Sequence, residues 1–159
     1  MLRMSRLTDY GTVILACMAG DPNALYSASD VATRVSLSPP TVSKILKLMA
    51  RAGLVNSVRG AQGGYTLSRA PHTITAAQII DALEGPVALT ECSTDDGHCE
   101  LERVCNVGGA WQKINVTIRR ALEDITLDQL LSSGGQPLPR IDLNGTLPIS
   151  DKLHSFTEN

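Results

Sequence analysis

Through roughly the first fifty residues the apolar positions recur every three or four, the spacing of helices with one buried face. Leu7, Tyr10, Ile14, Leu15 and Met18 make one such stripe and predict a helix over 5–19, ended by the turn residues Asp21, Pro22 and Asn23. Ser27, with Asp30 three positions on, is a capping-box pattern that opens a short second helix carrying Val31, Ala32 and Val35. Ser38 reads as the N-cap of a third helix, because the prolines that follow it, Pro39 and Pro40, are tolerated in a first turn. In that helix Val42, Ile45, Leu46 and Met49 fall at i, i+3, i+4 and i+7, and Gly53 closes it.

The period then shortens. Two β-prone runs, 54–58 and 65–67, flank a glycine-rich loop and predict a hairpin. Thr75 and Gln78 form a second capping box, opening a helix with Ile79, Ile80 and Leu83 that ends at Gly85 and Pro86. Residues 88–109 show no period. Beyond them Trp111, Ile114, Ile118, Ala121, Leu122 and Ile125 alternate in threes and fours, a narrow apolar seam suited to a partner helix. Thr126 and Gln129 are a third capping box, and the Ser/Gly/Pro-rich chain from 132 reads as a flexible tail. Helix, helix, helix, hairpin is the winged helix-turn-helix order, so the expected fold is mainly α. Its expected parts are a DNA-binding domain over 1–87, a cysteine-rich loop over 88–109, a long dimerisation helix with a short terminal helix over 110–131, and the tail over 132–159.

Composition adds direction. With 43% hydrophobic and 19% charged residues the chain has the profile of a folded, soluble protein. Its longest apolar run, Val13 to Ala19, is far short of the ~20 residues that span a bilayer. No secretory signal pattern opens it, so a cytoplasmic protein that engages no membrane is expected. The net charge of −2 conceals an asymmetry. Residues 1–70 carry eight Lys/Arg against three Asp/Glu, and residues 71–159 carry six against thirteen. A basic first half suits a polyanion, and double-stranded DNA is the partner that the helix order suggests.

The face of the third helix opposite its apolar stripe presents Thr41, Ser43, Lys44 and Lys47, with Ser38 at its start. Such a helix can place its N-terminal residues at base edges in the major groove and its lysines near phosphates. Arg59 opens the glycine-rich loop, where a guanidinium can reach a minor groove or a phosphate. No phosphate-binding loop, nucleophile motif or His–carboxylate pair is present, and Gly60 to Gly64 lies in a hairpin rather than between strand and helix. Neither an enzyme nor a small-molecule substrate is expected.

Cys92, Cys99 and Cys105 are separated by six and five intervening residues in the unpatterned stretch. Three thiolates so close in a loop can converge on one centre, and soft ligands favour an iron–sulfur cluster, zinc or cuprous copper. The spacing is wider than the Cys-x-x-Cys of zinc ribbons. Cys17, inside an apolar helix stretch, reads as a small core residue. A four-coordinate centre needs one more ligand; His98 beside Cys99 and Asp9 on the first helix are the candidates.

The run Leu7, Thr8, Asp9, Tyr10, Gly11 resembles the opening of the Rrf-two family of iron–sulfur-sensing winged-helix repressors, which includes IscR and NsrR. The wing from Ser57, Val58, Arg59 and Gly60 to Gly63, Gly64 and Tyr65 resembles the same family, as do the three-cysteine loop and Ile125, Thr126 and Leu127. The likeness covers residues 1–131, and the first ten look most like the branch that regulates the SUF iron–sulfur assembly system. The resemblance implies a homodimer joined along the 110–125 helix on a palindromic operator, with cluster state setting DNA affinity. It implies Cys92, Cys99 and Cys105 as ligands, the third helix in the major groove and Arg59 as the wing contact. One position departs: IscR-like members place a histidine three residues after the last cysteine, where this chain has Gly108. NsrR-like members use a first-helix aspartate, which favours Asp9 over His98 and leaves the cluster open between 4Fe–4S and 2Fe–2S. A nitric-oxide or redox sensor of the same fold, and a thiol-redox or electron-transfer protein, are the alternatives.

Overall fold

The second and third helices start at the hydroxyl residues predicted to cap them, Ser27 and Ser38. The computed structural model describes residues 4–60, 62–89 and 107–132. Its elements are α1 (Arg6–Ala19), α2 (Ala28–Val35), α3 (Pro39–Arg51), β1 (Val55–Val58), β2 (Gly64–Leu67), α4 (Ala76–Glu84), α5 (Gly108–Glu123) and α6 (Leu127–Ser132). Ser5 caps α1 by accepting the Leu7 N–H, and the capping boxes at Ser27/Asp30 and Thr75/Gln78 both form reciprocally. Ser38 occupies the N-cap of α3, but its hydroxyl bonds the Thr41 hydroxyl at 2.7 Å rather than a backbone N–H. Two prolines open that helix, so fewer orphan donors remain for a cap to satisfy.

The core gathers where α1, α2, α3 and α4 meet. Ile14, Leu15, Met18, Val31, Val42, Ile45, Leu46, Met49, Ile74, Ile79 and Leu127 are buried in it. Each such side chain contributes about 1.5–3 kcal/mol by leaving water. Helices α1, α3 and α4 close on Gly11, where an added Cβ would meet Leu83 Cδ1 and Met49 Cε. Glu84 at the end of α4 ties back to the start of α1, accepting the Ser5 N–H at 2.9 Å and the Thr8 hydroxyl. The Thr8 bond and then the Ser5 bond hold its carboxyl below its ordinary value of 4.5. Its contribution to stability is therefore present above that value and lost as pH falls through the lowered one. Cys17 is half-buried on α1 rather than in the core.

Strands β1 and β2 pair antiparallel, Val55 with Leu67 through Val58 with Gly64. The α1–α2 connection adds a third rung. The Tyr26 N–H donates to the Tyr65 carbonyl at 2.9 Å and the Tyr65 N–H to the Tyr26 carbonyl at 2.8 Å. This close approach explains Gly64, since a Cβ there would lie 2.5 Å from the Tyr26 carbonyl oxygen. Backbone cannot rotate aside as a side-chain tip can. Gly64→Ala should therefore destabilise the protein by about 1–3 kcal/mol, read as a shift in its thermal or urea midpoint. An unchanged midpoint would mean that the Tyr26 rung contributes nothing.

Beyond α5 the chain returns to this body. The Ala76 N–H donates to the Ile125 carbonyl and the Leu127 N–H to the Ile74 carbonyl, both at 2.8 Å. The seam expected along α5 is divided. Ile118 and Leu122 turn inward beside Asn115 and Arg119, whereas Trp111 (43% exposed), Ile114 (43%) and Ile125 (41%) face out with Ala121. The outward positions 111, 114, 121 and 125 keep the three-, four- and seven-residue spacings of a coiled-coil face, with Ile118 turned from it to the body.

Candidate nucleic-acid interface and cluster site

Burying one stripe of α3 fixes what the opposite side offers. Val42, Ile45, Leu46 and Met49 are inside, so Ser38, Lys44 and Lys47 are exposed, and Thr41 and Ser43 are half-buried along the same outward face. Pro40, Ser43, Lys44, Lys47, Leu48 and Arg51 line one shallow groove on it. Arg51 is not among the residues predicted from the sequence. Its signal was there, since 44, 47 and 51 stand at i, i+3 and i+7 and extend the basic row by a turn. Arg59 is exposed just beyond β1, where Gly60 takes φ = +120° to turn the loop. A Cβ at Gly63 would lie 2.4 Å from the Val58 carbonyl oxygen, so the loop closes tightly at its base.

Two other basic residues of the first half, Arg69 and Arg34, serve the fold. Arg69 donates to the Gly53 carbonyl at 3.1 Å, the Thr73 carbonyl at 3.3 Å and Gln78 Oε1 at 2.8 Å, clamping the end of α3 to the start of α4. The Arg34 guanidinium lies 5.2 Å from the centroid of the Tyr26 ring, a cation–π contact that holds α2 to the third rung of the wing. Lys44, Lys47 and Arg51 on α3 and Arg59 at the wing remain as exposed basic side chains.

The proposed ligands divide between described and undescribed chain. Cys92, Cys99, Cys105 and His98 lie outside the described residues, which by themselves contain no group of three or more metal-ligating side chains. Asp9 is exposed on α1, and its carboxylate takes no hydrogen bond or ion pair among the described residues. It stands at an apolar cleft of about 400 Å³ between α1, α4 and the α5–α6 corner, lined also by Met4, Val13, Ile80 and Leu122. No helix among the described residues is long and apolar enough to cross a membrane.

Three helices, a two-stranded wing and a basic outward face on the third helix define a winged helix-turn-helix DNA-binding protein. The comparisons agree and narrow the class: residues 4–133 match the Rrf2 family, described as an iron-dependent transcriptional regulator, and the chain belongs to that family. It is 28% identical to the HTH-type transcriptional regulator NsrR of Halalkalibacterium halodurans, over 83% of this chain and 92% of that protein. To the HTH-type transcriptional regulator CymR of Bacillus subtilis it is 33% identical, over 82% and 91%. The solved structure of that CymR, the global cysteine regulator of B. subtilis, superposes with a TM-score of 0.62 at 32% identity, covering 83% and 98%. T. potens IscR superposes with a TM-score of 0.60 at 31% identity, covering 83% and 88%. NsrR and CymR are named as transcriptional regulators, not enzymes.

Proposed function

We propose that this regulator is a homodimeric repressor of iron–sulfur (SUF) assembly genes, with an iron–sulfur cluster on Cys92, Cys99, Cys105 and Asp9 governing operator affinity. The carrying observation is Asp9, a carboxylate with no partner among the described residues, which lines an apolar cleft and is set on α1 of the DNA-binding body. A carboxylate that takes no partner among the described residues can serve as a ligand, and three soft thiolates in fourteen residues between α4 and α5 would supply the rest of a cluster's donor set. The family's iron-dependent description supports the same reading. When bound, the cluster supplies a link among its ligands that oxidants and nitric oxide break.

The other roles belong to the chain itself. The open stripe of α5 would pair two subunits, as a face of that period does in coiled coils. A two-fold dimer presents two copies of α3 and reads a palindrome with half-sites about one turn apart, ~34 Å. Ser38, Thr41 and Ser43 would meet base edges, Lys44 and Lys47 phosphates, and Arg59 the neighbouring groove or backbone. A visible absorption spectrum with iron and sulfide analysis, on protein purified without oxygen, tests the cofactor. A brown protein with a cluster band is expected; a colourless one that resists anaerobic reconstitution overturns the assignment. The match to a cysteine regulator favours a second reading, in which cysteine supply is the signal and the thiols hold no metal. The same colourless outcome would select it.

A further inference from the structure

Helix α5 is joined to the DNA-binding body by few contacts, and they differ in kind. At its C-terminal end the chain is pinned by the two backbone bonds that link Ile125 and Leu127 to Ala76 and Ile74. A rod pinned at one end still swings, and its direction is set by a second point. That point is Arg119. Its Nη2 lies 2.8 Å from Asp81 Oδ2 and its Nη1 3.3 Å from Asp81 Oδ1, a two-pronged bond to α4. Glu123 holds the guanidinium from the other side, 3.1 Å from Nε. The apolar contribution of α5 to this joint comes from Ile118 and Leu122, both only half-buried, and packing of that kind permits sliding. The planar fork does not, because both of its bonds require one orientation. Further along, Asn115 is buried and its side chain accepts the Leu89 N–H at 3.3 Å.

Helix α4, in turn, is fixed to the recognition helix. Leu83 of α4 and Met49 of α3 converge on Gly11 of α1, and all three elements share one core. Whatever sets α5 on α4 therefore sets α5 relative to α3. The lever is long. A tilt of roughly 10° at the joint moves a recognition helix ~17 Å from the dimer axis by about 3 Å, close to one base-pair step.

We infer that Arg119, through Asp81, is a positioning residue that fixes the half-site spacing accepted by the dimer. The inference rests on the dimeric, operator-binding reading above but is independent of the cluster. A half-site is first recovered by selection from random duplexes. Duplexes with two inverted half-sites at graded spacers are then titrated with wild type, Arg119→Leu, Asp81→Asn and the double variant. Wild type should prefer one spacer by about tenfold or more over neighbours two base pairs away. Both single variants should flatten that preference to within a few-fold, the double variant flattening it no further, because one interaction is being removed. Affinity for non-specific DNA and dimer mass should stay as in wild type, since the lysines, Arg59 and the open stripe are untouched. Asp81→Asn nearly preserves volume and keeps the comparison alive if Arg119→Leu folds poorly. A spacer profile as sharp in Asp81→Asn as in wild type overturns the inference. A wild-type protein with no spacer preference overturns the dimeric operator reading itself, a separate result visible before any variant is made.

Discussion

Operator affinity of a dimer carrying Lys44→Ala and Lys47→Ala should fall by about 4000-fold near ~0.1 M salt. The two exposed lysines of α3 occur twice in a dimer, so four phosphate neutralisations are lost. Each released counterion contributes about 0.9 to the slope of log affinity against log salt, and four contribute about 3.6. At ~0.1 M salt that slope corresponds to between three and four orders of magnitude, and toward ~0.5 M it shrinks to about tenfold. The fold should be unaffected, because both side chains point away from the core and alanine is the better helix former. The measurement is a salt series of binding isotherms. An affinity loss with an unchanged salt slope would remove phosphate contact from the role of these lysines.

Cys92→Ala should abolish visible absorbance and bound iron together, and should leave helical content and thermal midpoint as they were. Two thiolates and a carboxylate are too few to retain a four-ligand centre, so the expected loss is complete rather than graded. The described core is built from α1 to α4 and Leu127 with no cysteine in it, so the DNA-binding body does not depend on the missing thiol. That separation distinguishes the cluster from structural zinc, whose loss unfolds small domains. Operator affinity of the variant should also stop responding to iron supply. A variant that kept the full visible band would remove Cys92 from the ligand set.

The sequence spelled out those features whose cause is local. Ser27 with Asp30 and Thr75 with Gln78 are complete capping devices within four residues, and both form. The α3 stripe was equally legible, because four apolar side chains at helical spacing have one way to be buried together. Ser38 was placed correctly, but the hydroxyl of Thr41 competed for its bond, a side-chain choice that no pattern encodes. What escaped notice was long-range. The Tyr26 rung of the wing is a single residue and has no period to detect. The division of the α5 seam depends on which neighbour arrives, and periodicity cannot say whether Ile118 meets its own α4 or another chain. Asn115 and Arg119 carry no local signal, and their partners, Leu89 and Asp81 of α4, come from far along the chain. For the candidate site, residue types and the row on α3 were readable, whereas the place of Asp9 on the lining of a cleft required the folded neighbours.

Trp111, Ile114, Ala121 and Ile125 give a lone chain an apolar stripe that it must hold in water. In a dimer joined along that stripe, folding and pairing share one equilibrium, and apparent stability rises with protein concentration. The same coupling acts on dosage. Near the dissociation constant the number of dimers varies with the square of the number of free chains, so halving those chains leaves about a quarter of the dimers. Repression by such a protein switches across a narrower range of copy number than repression by a monomeric binder.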